Sequence, residues 1–505
     1  MIAGVVPDLS AEVPDLDRLG PVHLIGIGGV GMSGIARLLL ARGVQVSGSD
    51  AKESAVLAGL RAAGARVSIG HRADQVPADG TLVVSSAVRA DNPELVEARA
   101  RGLRVLHRSE ALAALMLGRR AVAIAGTHGK TTTTGMTTVL LRNCGLDPSF
   151  AIGGELTEGG LGAYEGSGEA FVAEADESDG SFLLYRPEIA IITNVEPDHL
   201  DHYGSGEAVE AAFEAFCRRV RPGGLVIACG DDEGARRVVG RVAEELAERG
   251  VRVRFYGTGA DNDVRLVGLE LTPDGVRFGL QELVDDVSSP LVGPLTLRVP
   301  GAHNALNAAA AWLVGRHFGV PGADALTALA QFGGTRRRFE AKGAAAGVRV
   351  VDDYSHHPTE VAAALRSARS VVGTGRVIAV FQPHLFSRTR IFAAAFGAAL
   401  GLADRVAVLD VYAAREDPEP GVTGELITAQ VPLPADDVAF CPEPADAIAA
   451  VLRWARPGDL VLTIGAGDVT ALGPQLLQAL TASSAPTATA PTAPTAPTAP
   501  PELQG

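Results

Sequence analysis

The chain has 505 residues, too many for one hydrophobic core and suited to about three domains. With 47% hydrophobic and 20% charged residues it describes a packed soluble protein, and a net charge of -15 excludes a general nucleic-acid binder. The four cysteines (Cys144, Cys217, Cys229, Cys441) are scattered and form no C-x-x-C pair, so no disulfide framework or zinc site can be read from them and a reducing cytoplasm is expected.

The first segment, MIAGVVPDLSAEVPDLD, is acidic and broken by prolines. It lacks the basic start and apolar core of a signal peptide, and residues 1–18 are expected to be flexible. No apolar run is long enough to span a bilayer, so no membrane partner is expected.

VHLIGIGG (22–29) predicts a buried strand entering a glycine turn, and VGMSGIARLLLARG (30–43) predicts the helix that follows. VQVSGSD is a second strand ending at Asp50, and TLVVSSAV (81–88) is another. In the turn G-I-G-G-V-G the glycines allow close backbone approach, and the helix start offers free N–H groups to a diphosphate. Gly26, Gly28, Gly29, Val30 and Gly31 therefore form a candidate nucleotide site, with Asp50 where a ribose-binding acid belongs. NAD is the ligand such a loop first suggests; a turn that uses glycine for packing alone is the other reading. This unit is expected to cover residues 19–116.

RAVAIAG opens a second unit, expected over 117–333, with the loop Gly126-Thr127-His128-Gly129-Lys130-Thr131-Thr132 between strand and helix. Loop N–H groups and the Lys130 ammonium suit ATP phosphates, and the Thr131 hydroxyl suits Mg²⁺. Only three lysines (Lys52, Lys130, Lys342) stand among 44 basic residues, so a lysine kept here suggests a need for a compact ammonium. The loop departs from the common G-x-x-x-x-G-K-[ST] template, because Gly126 comes only three residues before Gly129 and Ile124 stands where the template has glycine. Further buried strands follow at EAFVAEAD, EIAIITNV and GLVIACGD. Glu174, Asp176, Glu177 and Asp179 end the first of these, as metal-binding carboxylates or a solvated acidic turn. His199, beside acids in TNVEPDHLDHY, reads as a metal ligand or as a structural histidine. VRVRFYGTGADNDVRLVGLELTPDGVRFGLQ is expected to be an antiparallel insertion.

A third unit, expected over 334–482, carries four strands, VRVVDDYS, GRVIAVFQPH, RVAVLDVY and DLVLTIGAG, each ending in polar residues. Asp353, Tyr354, His356, His384, Arg388 and Arg390 stand at or just past such ends, the edge at which open parallel sheets bind ligands. Residues 483–505 form a Pro/Thr/Ala tract expected to be disordered. A dehydrogenase needs no ATP loop and a simple ATPase needs no dinucleotide fold. Both loops together suggest an ATP-driven reaction on a nucleotide-activated molecule.

GIGGVGMSGIA, SSAVRADNPE, GTHGKTTTT, AEADESDGSF, TNVEPDHLDHY, PGAHNALNAAAA, RRRFE, DDYSHHPTE, FQPHLFSRTR, DVYAARE and GAGDV, in that order, resemble the Mur ligase family over about residues 20 to 475. The shortened G-T-H-G-K-T loop is characteristic of that family. The resemblance implies a three-domain α/β protein: a Rossmann-like first domain, a central P-loop domain and a Rossmann-like third domain. It implies that ATP and Mg²⁺ are used to join L-alanine to the lactyl carboxylate of UDP-N-acetylmuramate through an acyl phosphate, in bacterial cytoplasm, by a monomer or weak homodimer. It implies that Gly26, Gly28, Gly29, Val30, Gly31, Asp50, Ser85 and Ser86 hold the UDP-sugar. Gly126 to Thr132, His303, Asn304, Arg338 and Asp353 would hold ATP, and Thr131, Glu174 and His199 would hold Mg²⁺. Lys130, Glu174 and His199 are its catalytic residues, and Tyr354, His356, His384 and Arg388 its alanine pocket. One position departs: where the family usually has a basic residue before H-N-A-L-N, this chain has Ala302.

Overall fold

The computed structural model describes residues 7, 9, 12–284, 287–288, 290–414 and 416–484. Most of the Pro/Thr/Ala tract, from residue 485 onward, lies outside the described residues. Its first two residues, 483 and 484, end the helix Leu472–Ser484.

Three sheets organise the chain. The first is wholly parallel, in the order Arg66–Ile69, Val46–Asp50, Val22–Ile25, Thr81–Val84, Arg104–His107. Its order reverses at Val22–Ile25, which opens a crevice beyond the carboxyl ends of the strands. Val22–Ile25 and Thr81–Val84 are buried throughout, which is why they read as continuous apolar runs instead of alternating ones.

The second sheet runs parallel through Arg252–Gly257, Leu225–Cys229, Ile189–Ile192, Arg120–Ala125, Ala170–Glu174 and Ser149–Ala151. The carboxyl ends of Arg120–Ala125, Ala170–Glu174 and Ile189–Ile192 lie side by side, so the glycine loop, the acidic turn and the T-N-V-E-P-D-H segment emerge together. The insertion is antiparallel only from Val264–Thr272 onward, paired with Gly275–Val284 and then Val292–Leu297. Arg252–Gly257, expected in that insertion, belongs to the parallel sheet. Its alternation of arginine with apolar residues marks a half-exposed strand, and periodicity carries no information on strand direction.

The third sheet has six strands, in the order Glu340–Ala345, Val348–Asp353, Leu460–Ile464, Val377–Phe381, Arg405–Val408, Val438–Phe440. The sequence exposed its four central strands; both edges were missed. Glu340–Ala345 has no buried residue and pairs antiparallel, while Val438–Phe440 is only three residues long.

The cores divide unequally. One apolar cluster runs from Leu24, Ile35 and Leu57 of the first domain through the helix Arg108–Met116 to Phe182, Phe213 and Val238 of the second. The third domain keeps its own clusters, around Phe381 and Phe396 on one face and Val380 and Leu476 on the other. The first two domains therefore share an apolar seam, whereas the third meets the second through ion pairs and hydrogen bonds. A polar junction of that kind opens far more readily than a shared core. Val13 and Leu16, in the segment expected to be flexible, pack on the first core, and Leu16–Arg18 forms one 3-10 turn. No helix among the described residues is long and apolar enough to cross a membrane.

Candidate active site

The strand Arg120–Ala125 stops at Gly126, whose φ of 138° only glycine adopts comfortably; a Cβ there would also strike the Thr193 hydroxyl. Gly129 (φ 82°) turns the chain into the helix Lys130–Asn143, whose first-turn N–H groups have no partner within the helix. The neighbouring strand end fixes the loop from outside. His128 N–H donates to Asn194 Oδ1 at 2.7 Å, the His128 carbonyl accepts from Thr193 Oγ1 at 2.6 Å, and Glu196 N–H donates to Thr127 Oγ1 at 2.9 Å. The result is a set anion cradle.

The Lys130 ammonium lies inside it, 2.6 Å from the Gly126 carbonyl, 3.2 Å from that of Thr127 and 2.9 Å from Glu177. Burial pulls its pKa down, but the carboxylates of Glu177, Asp176 and Glu174 more than reverse this and keep it charged. Burial raises Glu177 to about 7, against the pull of Lys130. Thr131 Oγ1 donates to Glu174 Oε1 at 3.1 Å, and Glu174 Oε2 accepts from Gly153 N–H at 2.7 Å. His199 is in the left-handed region (φ 52°), with Nε2 3.7 Å from both Glu177 and Asp198. Desolvation lowers its pKa, which favours the neutral imidazole that metals bind. The Thr131–Glu174 pair and His199 each lie near the Lys130 ammonium, Glu174 and His199 close enough to interact with it electrostatically, and oxygen donors of this kind suit Mg²⁺.

A cavity of about 280 Å³ opens beside the loop, between the second and third domains. His128, Gly129, Thr132, His303, Asn304, Arg338 and Asp353, all predicted, line it. Two are more occupied than the sequence suggested. The Asn304 amide donates to the Pro300 carbonyl at 2.6 Å and accepts from Asn307 at 3.3 Å. Both Asp353 oxygens accept backbone N–H groups, of Phe339 at 2.8 Å and Ser355 at 2.9 Å. Ala302 is exposed at the start of the helix Ala302–His317.

The first-domain crevice is a cavity of about 820 Å³ lined by Gly26, Gly28, Gly29, Asp50 and Ser85, with Ser54, His71 and Arg89. Asp50 Oδ2 accepts the Gly28 N–H at 2.9 Å, so the acid braces the loop. Val30, Gly31 and Ser86 are exposed and lie outside that lining. Ser86 instead donates to Asp179 of the second domain at 2.9 Å.

In the third domain Tyr354, His356 and His384 cluster, with ring centroids 5.4 Å and 6.0 Å apart. Arg388 is not at a strand end; it sits in the first turn of the helix Phe386–Leu400 and is buried. Its Nη2 donates to Asp198 at 3.0 Å across the domain junction. Arg390, on the same helix, is exposed and pairs with Glu419. Sequence reasoning missed Asp198 and Glu196, although T-N-V-E-P-D-H carries both at the end of a buried strand. It also missed the joints they make: Glu196 accepts from Thr359 Oγ1 at 2.8 Å, and His128 faces Glu360 at 3.3 Å.

A preformed phosphate loop, flanked by carboxylates and roofed by a separately packed third domain, defines a three-domain nucleotide-dependent enzyme of the α/β class. Comparison with known proteins makes this specific. Residues 21–120 match the profile of the Mur ligase family catalytic domain, 124–315 that of the Mur ligase middle domain, and 337–467 that of the Mur ligase glutamate ligase domain. A relative from Kineococcus radiotolerans, named UDP-N-acetylmuramate–L-alanine ligase, is 59% identical over 93% of this chain and 98% of its own. One of the same name from Saccharopolyspora erythraea is 56% identical over 93% and 94%. Among solved structures, the UDP-N-acetylmuramate-alanine ligase of Thermotoga maritima superposes with a TM-score of 0.75, at 27% identity over 92% of this chain and all of that one. A murein peptide ligase from Psychrobacter arcticus gives 0.65, at 26% identity over 92% and 99%. The chain belongs to the Mur ligase family.

Proposed function

We propose that this protein joins L-alanine to the lactyl carboxylate of UDP-N-acetylmuramate, converting ATP to ADP and phosphate, in the cytoplasmic synthesis of peptidoglycan precursors, as a monomer or weak homodimer. The observation that carries this reading is the charged, enclosed Lys130 between loop carbonyls and Glu177, in a chain 59% identical to an alanine ligase. In this reading residues 19–116 hold the UDP-sugar, 117–333 the ATP and 334–482 the amino acid.

A carboxylate is a poor acyl donor because it is anionic and has no leaving group. Phosphorylating it gives an acyl phosphate that an amine attacks, releasing phosphate. The obstacle is the approach of two anions. Lys130 and the first-turn N–H groups hold positive charge where the transferring phosphoryl group gathers negative charge, and they are already in place before reaction. Glu177 keeps the ammonium centred until phosphate oxygens take over that contact. Thr131 and Glu174 would hold one Mg²⁺ and His199 a second; the ion's chemistry there is charge neutralisation on phosphate oxygens.

Tyr354, His356 and His384 enclose the amino acid, and burial lowers His356 to about 3, so its imidazole is neutral at working pH. Both bonds of Arg388 to Asp198 run through Nη2, so the same guanidinium can anchor the alanine carboxylate through its other donors while joining the domains. Closure of the third domain keeps water from the acyl phosphate. The test is phosphate release from ATP with UDP-N-acetylmuramate, across amino acids and the natural tripeptide. Release driven by L-alanine supports the reading; release driven only by the peptide assigns the chain to murein-peptide ligation instead.

A further inference from the structure

The junction between the second and third domains holds another group of metal-type donors, separate from Thr131, Glu174 and His199. His128, Glu196 and His357 each bring one donor atom into a set lying within 4.8 Å of one another. Glu196 Oε2 is the hub, 3.5 Å from His128 Nε2 and 3.9 Å from His357 Nδ1. His357 is only 5% exposed, yet neither of its ring nitrogens has a hydrogen-bond partner, and His128 Nε2 has none either. Buried polar atoms left this way cost free energy, and a shared cation would remove that cost. The other side of His128 is also arranged for a ligand role. Its Nδ1 faces Glu360 at 3.3 Å, a carboxylate backing that orients the ring, and an arriving cation takes the place of the Nε2 proton, which is released to solvent.

We propose that His128, Glu196 and His357 form a binding site for a divalent ion of the zinc class that bridges the second and third domains. Two imidazoles and one carboxylate suit zinc and its first-row neighbours, whereas Mg²⁺ prefers oxygen ligands. Zinc holds such donors at about 2.0–2.2 Å, so the three atoms must draw together by roughly 1 Å. Two of them belong to the second domain and one to the third, so that contraction is a slight further closing of the junction. Glu360 supports from behind, and the fourth position is left to water. His128 is part of the glycine loop, so an ion here would hold the junction shut beside Lys130. Zinc is therefore expected to inhibit turnover by trapping the closed form; that consequence rests on the reading of the loop given above, whereas the binding itself does not.

The test is titration of chelator-treated full-length protein with Co²⁺, a spectroscopic substitute for zinc. The proposal predicts visible d–d bands of a tetrahedral ion at one equivalent, without a thiolate charge-transfer band, and bleached by one equivalent of Zn²⁺. His357→Gln and Glu196→Gln, each shown to be folded by circular dichroism, should need more than the ~100-fold extra metal that loss of a mere supporting partner costs. Thr131→Ala should keep the bands. No bands in the wild type, a thiolate band, or unchanged bands in both folded variants would overturn the proposal. Should neither variant fold, X-ray absorption at the zinc edge of the zinc-loaded wild type decides: a shell with two imidazoles and no sulfur supports the site, and a thiolate or all-oxygen shell refutes it.

Discussion

Replacing Lys130 by arginine tests the loop, because charge is retained and only its position changes. The ammonium fits within 2.6 Å of one loop carbonyl, 3.2 Å of a second and 2.9 Å of Glu177. Its side chain is 14% exposed, which leaves no room for a wide planar guanidinium at the same point. The arginine must carry its charge outward. At an effective dielectric of about 20, moving a unit charge from about 3 Å to about 5 Å from an opposing charge costs about 2 kcal/mol. A transferring phosphoryl group carries more than one unit, which places the loss at about 10²- to 10³-fold in turnover, as for other preorganised contacts. The assay is steady-state phosphate release by the purified variant, with its melting temperature and its affinity for UDP-N-acetylmuramate measured in parallel. Both controls should stay near wild type, because the sugar nucleotide is assigned to the other cavity. Turnover within a few-fold of wild type would refute the assignment of Lys130 to the phosphates.

Three further outcomes are expected. Gly126→Ala must place a Cβ against Thr193 at φ 138°, so ATP affinity should fall at least ~10-fold even where the fold survives, as read by nucleotide titration. In Gly28→Val the new side chain meets Asp50 Oδ2 at 2.9 Å and Leu57 at 3.0 Å, and calorimetry should show weaker UDP-sugar binding with ATP binding retained. His128, which burial pulls down, is carried by Glu196 and Glu360 up to about 9 from an ordinary 6.5. A group whose folded pKa is raised stabilises fully below its unfolded value and loses that contribution as pH rises through the folded one. The pH-dependent part of closure should therefore fade between about 6.5 and 9 in scattering measurements, and His128→Gln should flatten that window.

What the sequence disclosed was local. Strand, loop and helix around Gly126–Thr131 are neighbours in the chain, and each obeys its own rule: buried apolar run, positive-φ glycine, free helix N-terminus. The parallel register then brings Glu174 and Asn194 beside that loop, so strand ends were a sound guide to the second domain. Contacts between domains were not legible. Asp198 and Arg388 are 190 positions apart, and nothing in either stretch names the other as partner. Asp50 was read as a ribose ligand from its distance beyond the glycines, but its hydrogen bond to Gly28 appears only once the crevice is folded. The family resemblance groups Ser86 with Ser85 at the UDP-sugar. The strand ends at Val84, and a turn closed by the Val88 N–H on the Ser85 carbonyl carries Ser86 away from the crevice to face the second domain.

The identity of the product is the most direct test of the proposed activity. Purified protein incubated with ATP, Mg²⁺, UDP-N-acetylmuramate and L-alanine should yield, by liquid chromatography and mass spectrometry, a UDP-sugar heavier by one alanine residue, with equimolar ADP and phosphate and none when any substrate is omitted. ADP formation without that mass gain, or a gain that requires the tripeptide in place of alanine, would contradict it.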